Sequence, residues 1–170
     1  MYLNIRELIS KSGQVRLHQE MNVARLFREQ KDVLRVEPLD VDVEAKAGSG
    51  VVEVTGTLTL PVEFACSRCL GHYGQRLSIP FHERFTRDRH RSDGEDDDLH
   101  VLDDDVVDLT PYVEESVQLG MPYIPVCQPD CKGLNPETGA NLNIDPLARP
   151  TPRVDPRWEA LQQWRDRSEN

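Results

Sequence analysis

Apolar and polar side chains alternate over the middle of the chain. Apolar residues fall on odd positions from 41 to 47, and a Gly48-Ser49-Gly50 turn follows. They then fall on even positions from 52 to 66, and on odd positions from 73 to 85. A period of two is typical of strands with one buried face. The pattern therefore predicts three long strands in an antiparallel meander.

The flanking segments carry weaker signals. Tyr2 to Ile5 is typical of a short strand, with room for a helical turn through Leu8 and Ile9. The segment from 14 to 35 is ambiguous, because its apolar positions fit neither period throughout. Thr110-Pro111 predicts a helix start with Thr110 as N-cap, and Gly120 predicts its end. We expect an α+β fold: one β-rich domain with a meander sheet, a few short helices and a Cys-rich loop.

The C-terminal segment has a different composition. Prolines stand at 146, 150, 152 and 156, and Trp158, Leu161 and Trp164 follow at three-residue spacing. We predict a domain over residues 1–145, then a proline-rich linker and a helical tail over 146–170. The two tryptophans either dock on their own domain or bind a partner.

The acidity of the chain is local. The 170 residues carry a formal net charge of −10, and residues 93–108 hold nine carboxylates and no Lys or Arg. A block of like charges repels itself, so we expect a mobile acidic loop over about 88–108. The alternative is a loop that mimics phosphate or docks a basic protein. A net negative charge disfavours nucleic-acid binding over the whole surface.

The cysteines form two close pairs far apart in sequence. Cys66 and Cys69 lie between two predicted strands, and Cys127 and Cys131 are the other two of only four cysteines. There is no membrane-length apolar run, and the start of the chain does not resemble a signal peptide. We expect a cytoplasmic protein with reduced thiols, which favours metal or free thiols over disulfides.

Four thiolates are the ligand set of a structural zinc site, so we predict one zinc ion held by these cysteines. Unmetallated buried thiols are the main alternative. His72 is a reserve ligand.

Nothing in the sequence points to catalysis. The residues after Cys69 do not begin a helix, which argues against a redox Cys-x-x-Cys. Four thiolates would fill a tetrahedral site and leave no position for a reacting water. We also find no zinc-protease, serine-hydrolase, P-loop or dinucleotide motif. We therefore expect no catalytic residues, no small-molecule substrate and no membrane association.

A series of motifs resembles the YceD family, the large ribosomal RNA subunit accumulation proteins. The resemblance extends from about residue 36 to residue 161, and the motifs are specific in combination. They are Cys66-Ser67-Arg68-Cys69-Leu70, Pro122-Tyr123-Ile124-Pro125-Val126-Cys127, Cys131-Lys132-Gly133-Leu134, Gly139-Ala140-Asn141-Leu142-Asn143 and Asp155-Pro156-Arg157-Trp158. The resemblance implies a non-enzymatic factor for the synthesis, processing or stability of large-subunit rRNA. Implied partners are the pre-large-subunit particle, rRNA or a basic ribosomal protein. Other functions left open are a zinc-stabilised adaptor unrelated to ribosomes and a metal-dependent nuclease.

The chain departs from this family at one place. Many members carry a further Cys-x-x-Cys after the Gly-Leu, where this chain has Asn135 and Thr138. The four remaining cysteines are therefore all available for one site. Some relatives have His at the position of Cys127, and zinc binding tolerates this exchange. Arg68 and Lys132 are the basic residues within the cysteine motifs, so we predict that they contact a partner.

Overall fold

The computed structural model describes residues 1–88 and 99–146. The chain divides into two compact units, one of Met1–Cys127 and one that begins at Gln128. The predicted domain boundary near residue 145 stays a prediction. The helix predicted around Trp158 and Trp164 lies outside the described residues.

The described part of the first unit is rich in β-structure and contains two α-helices. In chain order its elements are β1 (Tyr2–Asn4), α1 (Ile5–Lys11), β2 (Gln14–Met21), a 3-10 turn (Ala24–Phe27), β3 (Val33–Val36), β4 (Leu39–Gly48), β5 (Val51–Ala65), β6 (His72–Thr86), β7 (Leu99–Val101), β8 (Val106–Asp108) and α2 (Thr110–Gly120). The main sheet has the order β2-β4-β5-β6-β7, with β3 also paired to β5. Strand pairs are antiparallel except β6 with β7. The predicted α+β class is confirmed, and the three alternating runs are β4, β5 and β6.

Apolar and polar residues alternate along these strands because one face of the sheet is buried. On β5, Val54, Leu58 and Leu60 are fully buried, while the intervening residues are partly or fully exposed. Register keeps apolar residues opposite one another, with Val54 beside Ala45 and Leu58 beside Ile79. Burial of such a face is the main stabilising term of a sheet.

Both helices lie at the ends of short strands. Before α1, the Asn4 Oδ1 accepts a hydrogen bond from the Glu7 N–H at 2.9 Å, which caps the helix. At the end of α2, a Cβ on Gly120 would lie 2.7 Å from Ile79 of β6, so only glycine allows this close approach. Among the described residues, no helix has the length and apolar character to cross a bilayer.

The start of α2 differs from the prediction. The N-cap is Leu109, whose side chain makes no capping hydrogen bond, and Thr110 is already helical. Asp108 supplies the acceptor instead, because its Oδ1 lies 3.0 Å from the Thr110 N–H. Hydrogen bonds from the Thr110 hydroxyl and N–H lower the pKa of Asp108 to about 2.

The expectation of a mobile loop over 88–108 is wrong for its second half. Residues 99–101 and 106–108 form β7 and β8, and Val107 is buried. Between them, Asp105 lies 3.1 Å from Arg6 and 2.6 Å from Arg87, so its charge is neutralised by two cations distant in sequence. Residues 89–98, with the first acidic group, lie outside the described residues.

Candidate metal centre

The first cysteine pair lies in the turn that joins β5 to β6. The Cys66 N–H donates to the Gly71 oxygen at 2.9 Å, and the Leu70 N–H donates to the Cys66 oxygen at 2.8 Å. Leu70 closes the turn in the left-handed region, with φ of 57°. These bonds bring the sulfurs of Cys66 and Cys69 close enough to bind the same metal ion.

The segment after α2 brings Cys127 to this turn. Its chain leaves the helix in an extended conformation at Met121, and prolines follow at 122 and 125. The Pro125 oxygen accepts from the Ser67 N–H at 2.9 Å, which anchors the segment. As a result, the Cys69 and Cys127 sulfurs are 3.8 Å apart.

The ligand atoms of all four cysteines lie within 4.8 Å of one another and could hold a metal ion. A tetrahedral ion with metal–sulfur bonds of about 2.3 Å separates its ligands by about 3.8 Å, so the Cys69–Cys127 distance fits such a site. All four cysteines are free thiols, in contrast to the disulfide alternative. Cys127 is exposed and the other three are buried.

Backbone donors favour the metal-binding form of Cys66. Burial opposes ionisation, but the N–H groups of Cys127, Cys69 and Arg68 donate to its sulfur, and together they lower its pKa from 9.0 to about 6. The thiolate is the form that ligates metals. Tyr73 lies beside the same sulfurs, and burial together with the negative charge of Cys66 and Cys127 raises its pKa.

Asn143 supports the fourth cysteine within the second unit. Its Nδ2 lies 3.4 Å from the Cys131 sulfur, and its Oδ1 accepts from the Lys132 N–H at 3.0 Å. Side chains that hydrogen-bond to a ligand atom fix its orientation. This role was not predicted from the sequence, although Asn143 ends one of the quoted motifs.

The other predicted site residues lie outside the group of sulfurs. His72, the reserve ligand, has its Nδ1 3.9 Å from Glu63. Arg68 and Lys132 are exposed, and their backbone N–H groups support Cys66 and Asn143. Their predicted contact with a partner stays a prediction.

A second turn repeats the geometry of the first without cysteine. Asn135 and Ala140 are joined by a 2.8 Å hydrogen bond, and Gly139 donates to the Asn135 oxygen at 2.8 Å. Gly139 has φ of 72°. The Asn135 Oδ1 accepts from the N–H groups of Glu137 and Thr138 at 2.7 and 3.1 Å. Asn135 thus takes the place that Cys66 has in the first turn.

The chain is similar in sequence to bacterial proteins and to one family profile. The chain is 35% identical over 125 residues to an uncharacterized protein of Mycobacterium tuberculosis; the match covers 72% of this chain and 60% of that protein. It is 32% identical over 136 residues to the uncharacterized protein YlbN of Bacillus subtilis, covering 77% and 76%. No solved structure matches. The sequence profile of the family described as large ribosomal RNA subunit accumulation protein YceD matches residues 54–164, and the chain belongs to this family.

Proposed function

We propose that this chain is a cytoplasmic, non-enzymatic factor that supports the synthesis, processing or stability of large-subunit ribosomal RNA. The observation that carries the proposal is the match to the YceD family over residues 54–164, since this range contains both cysteine pairs. The chain covers 60% of the length of the mycobacterial relatives, so the assignment concerns the shared region.

The metal proposed for the cysteine cluster is zinc. Cys66, Cys69, Cys127 and Cys131 offer four sulfurs, which is a common ligand set of structural zinc. Bound there, zinc would supply a tetrahedral crosslink between the β5–β6 turn and the segment after α2. Four protein ligands complete the coordination, so the site has a structural rather than a catalytic donor set.

Partner contacts are proposed at the two exposed basic residues of the cysteine motifs, Arg68 and Lys132. Each is adjacent to a metal-ligating cysteine of the proposed site, so a folded site would hold both backbones in place. The proposed partners are the pre-large-subunit particle, its rRNA or a basic ribosomal protein.

A deletion strain tests the function. We expect the ratio of mature large-subunit to small-subunit rRNA to fall, and wild-type protein to restore it. Cys69→Ser should fail to restore the ratio, and Arg68→Ala with Lys132→Ala should restore it only partly. An unchanged ratio in the deletion strain would remove the proposed function, whereas full rescue by the double variant would remove only these two residues.

The nuclease alternative has its own experiment. Purified protein is incubated with large-subunit rRNA, with zinc or magnesium and with a chelator. We expect the RNA to stay intact in each condition, because the four-sulfur site offers no open metal position. Cleavage that depends on metal and disappears in Cys69→Ser would favour the nuclease.

A further inference from the structure

The strand β2 forms one edge of the main sheet. It pairs with β4 on one side, and in the described part of the chain no strand pairs with its other side. Its eight residues, Gln14–Met21, follow a continuous register and contain no proline or lysine. Natural sheets protect their edges with short strands, bulges, prolines or lysines. β2 has none of these devices, whereas the strand at the opposite edge, β7, has only three residues.

The register of β2 on β4 shows which backbone groups point away from the sheet. The Ala47 N–H donates to the Gly13 oxygen at 3.0 Å, directly before β2 begins. In an antiparallel pair, residues bonded to the partner strand alternate with residues whose N–H and C=O groups point outward. The outward-pointing groups of β2 are therefore those at even positions, among them Arg16, His18 and Glu20. These groups are available to one further strand.

The charged side chains of β2 are only partly compensated within the chain. Glu20 lies directly opposite Asp40 of β4, an arrangement of like charges that destabilises a sheet. Among the described residues, Glu20 forms no ion pair. Arg16 donates from Nε and Nη2 to Asp42 at 2.9 and 2.6 Å, and its side chain is 72% exposed. Since a guanidinium group has five N–H donors, Arg16 can bind a second carboxylate.

These two charges indicate a second copy of the chain as the partner of β2. When two β2 strands pair antiparallel about a twofold axis at His18, Arg16 of each copy lies opposite Glu20 of the other. The same register places Val15 opposite Met21, and both are half-buried on the core side of the sheet. An axis displaced by one or two residues would lose both Arg16–Glu20 pairs.

We propose that the chain forms a homodimer in which two copies of β2 pair antiparallel about His18 and join their main sheets into one continuous sheet. Backbone hydrogen bonds between the outward-pointing groups supply the affinity. Two Arg16–Glu20 ion pairs, related by the twofold axis, fix the register. The dimer depends neither on a metal ion nor on the role proposed in rRNA accumulation.

The oligomeric state of the full chain in solution tests this contact, with sedimentation equilibrium as the measurement. Glu20→Arg places an arginine opposite Arg16 of the other copy, while in its own chain the new charge faces Asp40 and favours the fold. Arg16→Glu combined with Glu20→Arg exchanges the two charges and restores attraction in the proposed register. His18→Pro removes an outward-pointing N–H at the axis, a change that an edge strand tolerates. Glu37→Arg, at another exposed glutamate outside β2, is the matched control.

We expect the wild type to dimerise, with association at least about tenfold weaker in Glu20→Arg and in His18→Pro. Association should recover in the double variant and stay unchanged in Glu37→Arg. Melting temperatures show whether each variant is folded, and where another variant does not fold, Glu20→Arg decides. A monomeric wild type would overturn the proposal, as would a dimer that Glu20→Arg does not weaken. A folded double variant that stays as weak as Glu20→Arg would also overturn it, because the register would be wrong.

Discussion

The turn at residues 66–71 and the turn at residues 135–140 share one arrangement of backbone hydrogen bonds around different acceptors. We call them the thiol turn and the amide turn. In each, the first residue is bonded to the sixth, and the fifth residue has positive φ and donates to the first. In each, the first side chain also accepts from the N–H groups of the third and fourth residues. The acceptor is a sulfur in one turn and an amide oxygen in the other.

This difference separates two ways of stabilising the same turn. Asn135 is 5% exposed, and its neutral amide satisfies the two donors without any ion. Cys66 is fully buried, and its sulfur satisfies its donors best as a thiolate, which is a buried charge that a cation would compensate. The amide turn therefore satisfies its donors without an ion, whereas the thiol turn would be completed by the proposed metal ion.

The largest expected effect is the loss of the metal from the thiol turn. Cys69→Ser should reduce the zinc content from about one ion per chain, and should lower the free energy of unfolding by about 5 kcal/mol or more, since structural zinc contributes strongly to folding. Elemental analysis and urea unfolding measure the two quantities. Thr138→Ser, at the same position of the amide turn, should change the free energy by less than about 0.5 kcal/mol. Equal effects of the two serines would contradict the comparison.

The next effect is a pH dependence that only the thiol turn has. The folded state lowers the pKa of Cys66 from 9.0 to about 6. In metal-free protein the resulting stability is therefore present above pH 9 and lost as the pH falls through 6. The free energy of unfolding in chelator should rise by up to about 4 kcal/mol between these values. Urea titrations at several pH values test this, and the slope should be reduced in Cys66→Ser. An equal slope in that variant would show that other groups cause it.

A smaller effect is expected when the amide acceptor is removed. Asn135→Ala leaves the N–H groups of Glu137 and Thr138 without their acceptor, which should cost about 1–3 kcal/mol of stability. Thermal unfolding measures the loss, and Thr138→Ala serves as the control, because its hydroxyl makes one exposed bond of 3.3 Å. Zinc content should not change. Loss of zinc in Asn135→Ala would show that the amide turn also depends on the metal.

The smallest effect concerns the fifth residue of each turn. Gly139→Leu introduces a Cβ at φ of 72°, where space is open, so only backbone strain of about 1–2 kcal/mol is expected. Leu70→Gly removes such strain but adds chain entropy to the unfolded state, so the net change should stay below about 1 kcal/mol. Melting temperatures of both variants give the comparison. A large loss in Leu70→Gly would show that the leucine stabilises its own fold.

The parts of the fold that follow from local pattern could be predicted from the sequence. The strands β4, β5 and β6 each bury one face, so the period of two appears directly in their residues. The edge strand β2 gave an ambiguous signal, because Val15 and Leu17 are only half-buried and the next residue in their phase, Gln19, is polar and exposed. Burial on one side of an edge strand is too small to produce a clear pattern.

Interactions between distant segments could not be predicted from composition. The acidic run suggested that its carboxylates repel one another. In the structure, Asp105 pairs with Arg6 and Arg87, and no local sequence pattern indicates these ion pairs. Likewise, the cysteine spacing predicted that the four sulfurs share one place, but not which N–H groups support them. The spacing of Asn135 and Gly139 repeats that of Cys66 and Leu70, and this was the available signal for the second turn.

The separation of the cysteines along the chain sets an order of events during synthesis. Cys69 and Cys127 are 58 residues apart, so at about 5–20 residues per second the first pair precedes the second by several seconds. The β5–β6 hairpin joins two consecutive strands, paired from Ala65–His72 outward to Val51–Thr86, and can form in that interval. Binding of the proposed zinc ion would then close a long loop last, as a late step of maturation rather than the nucleus of folding.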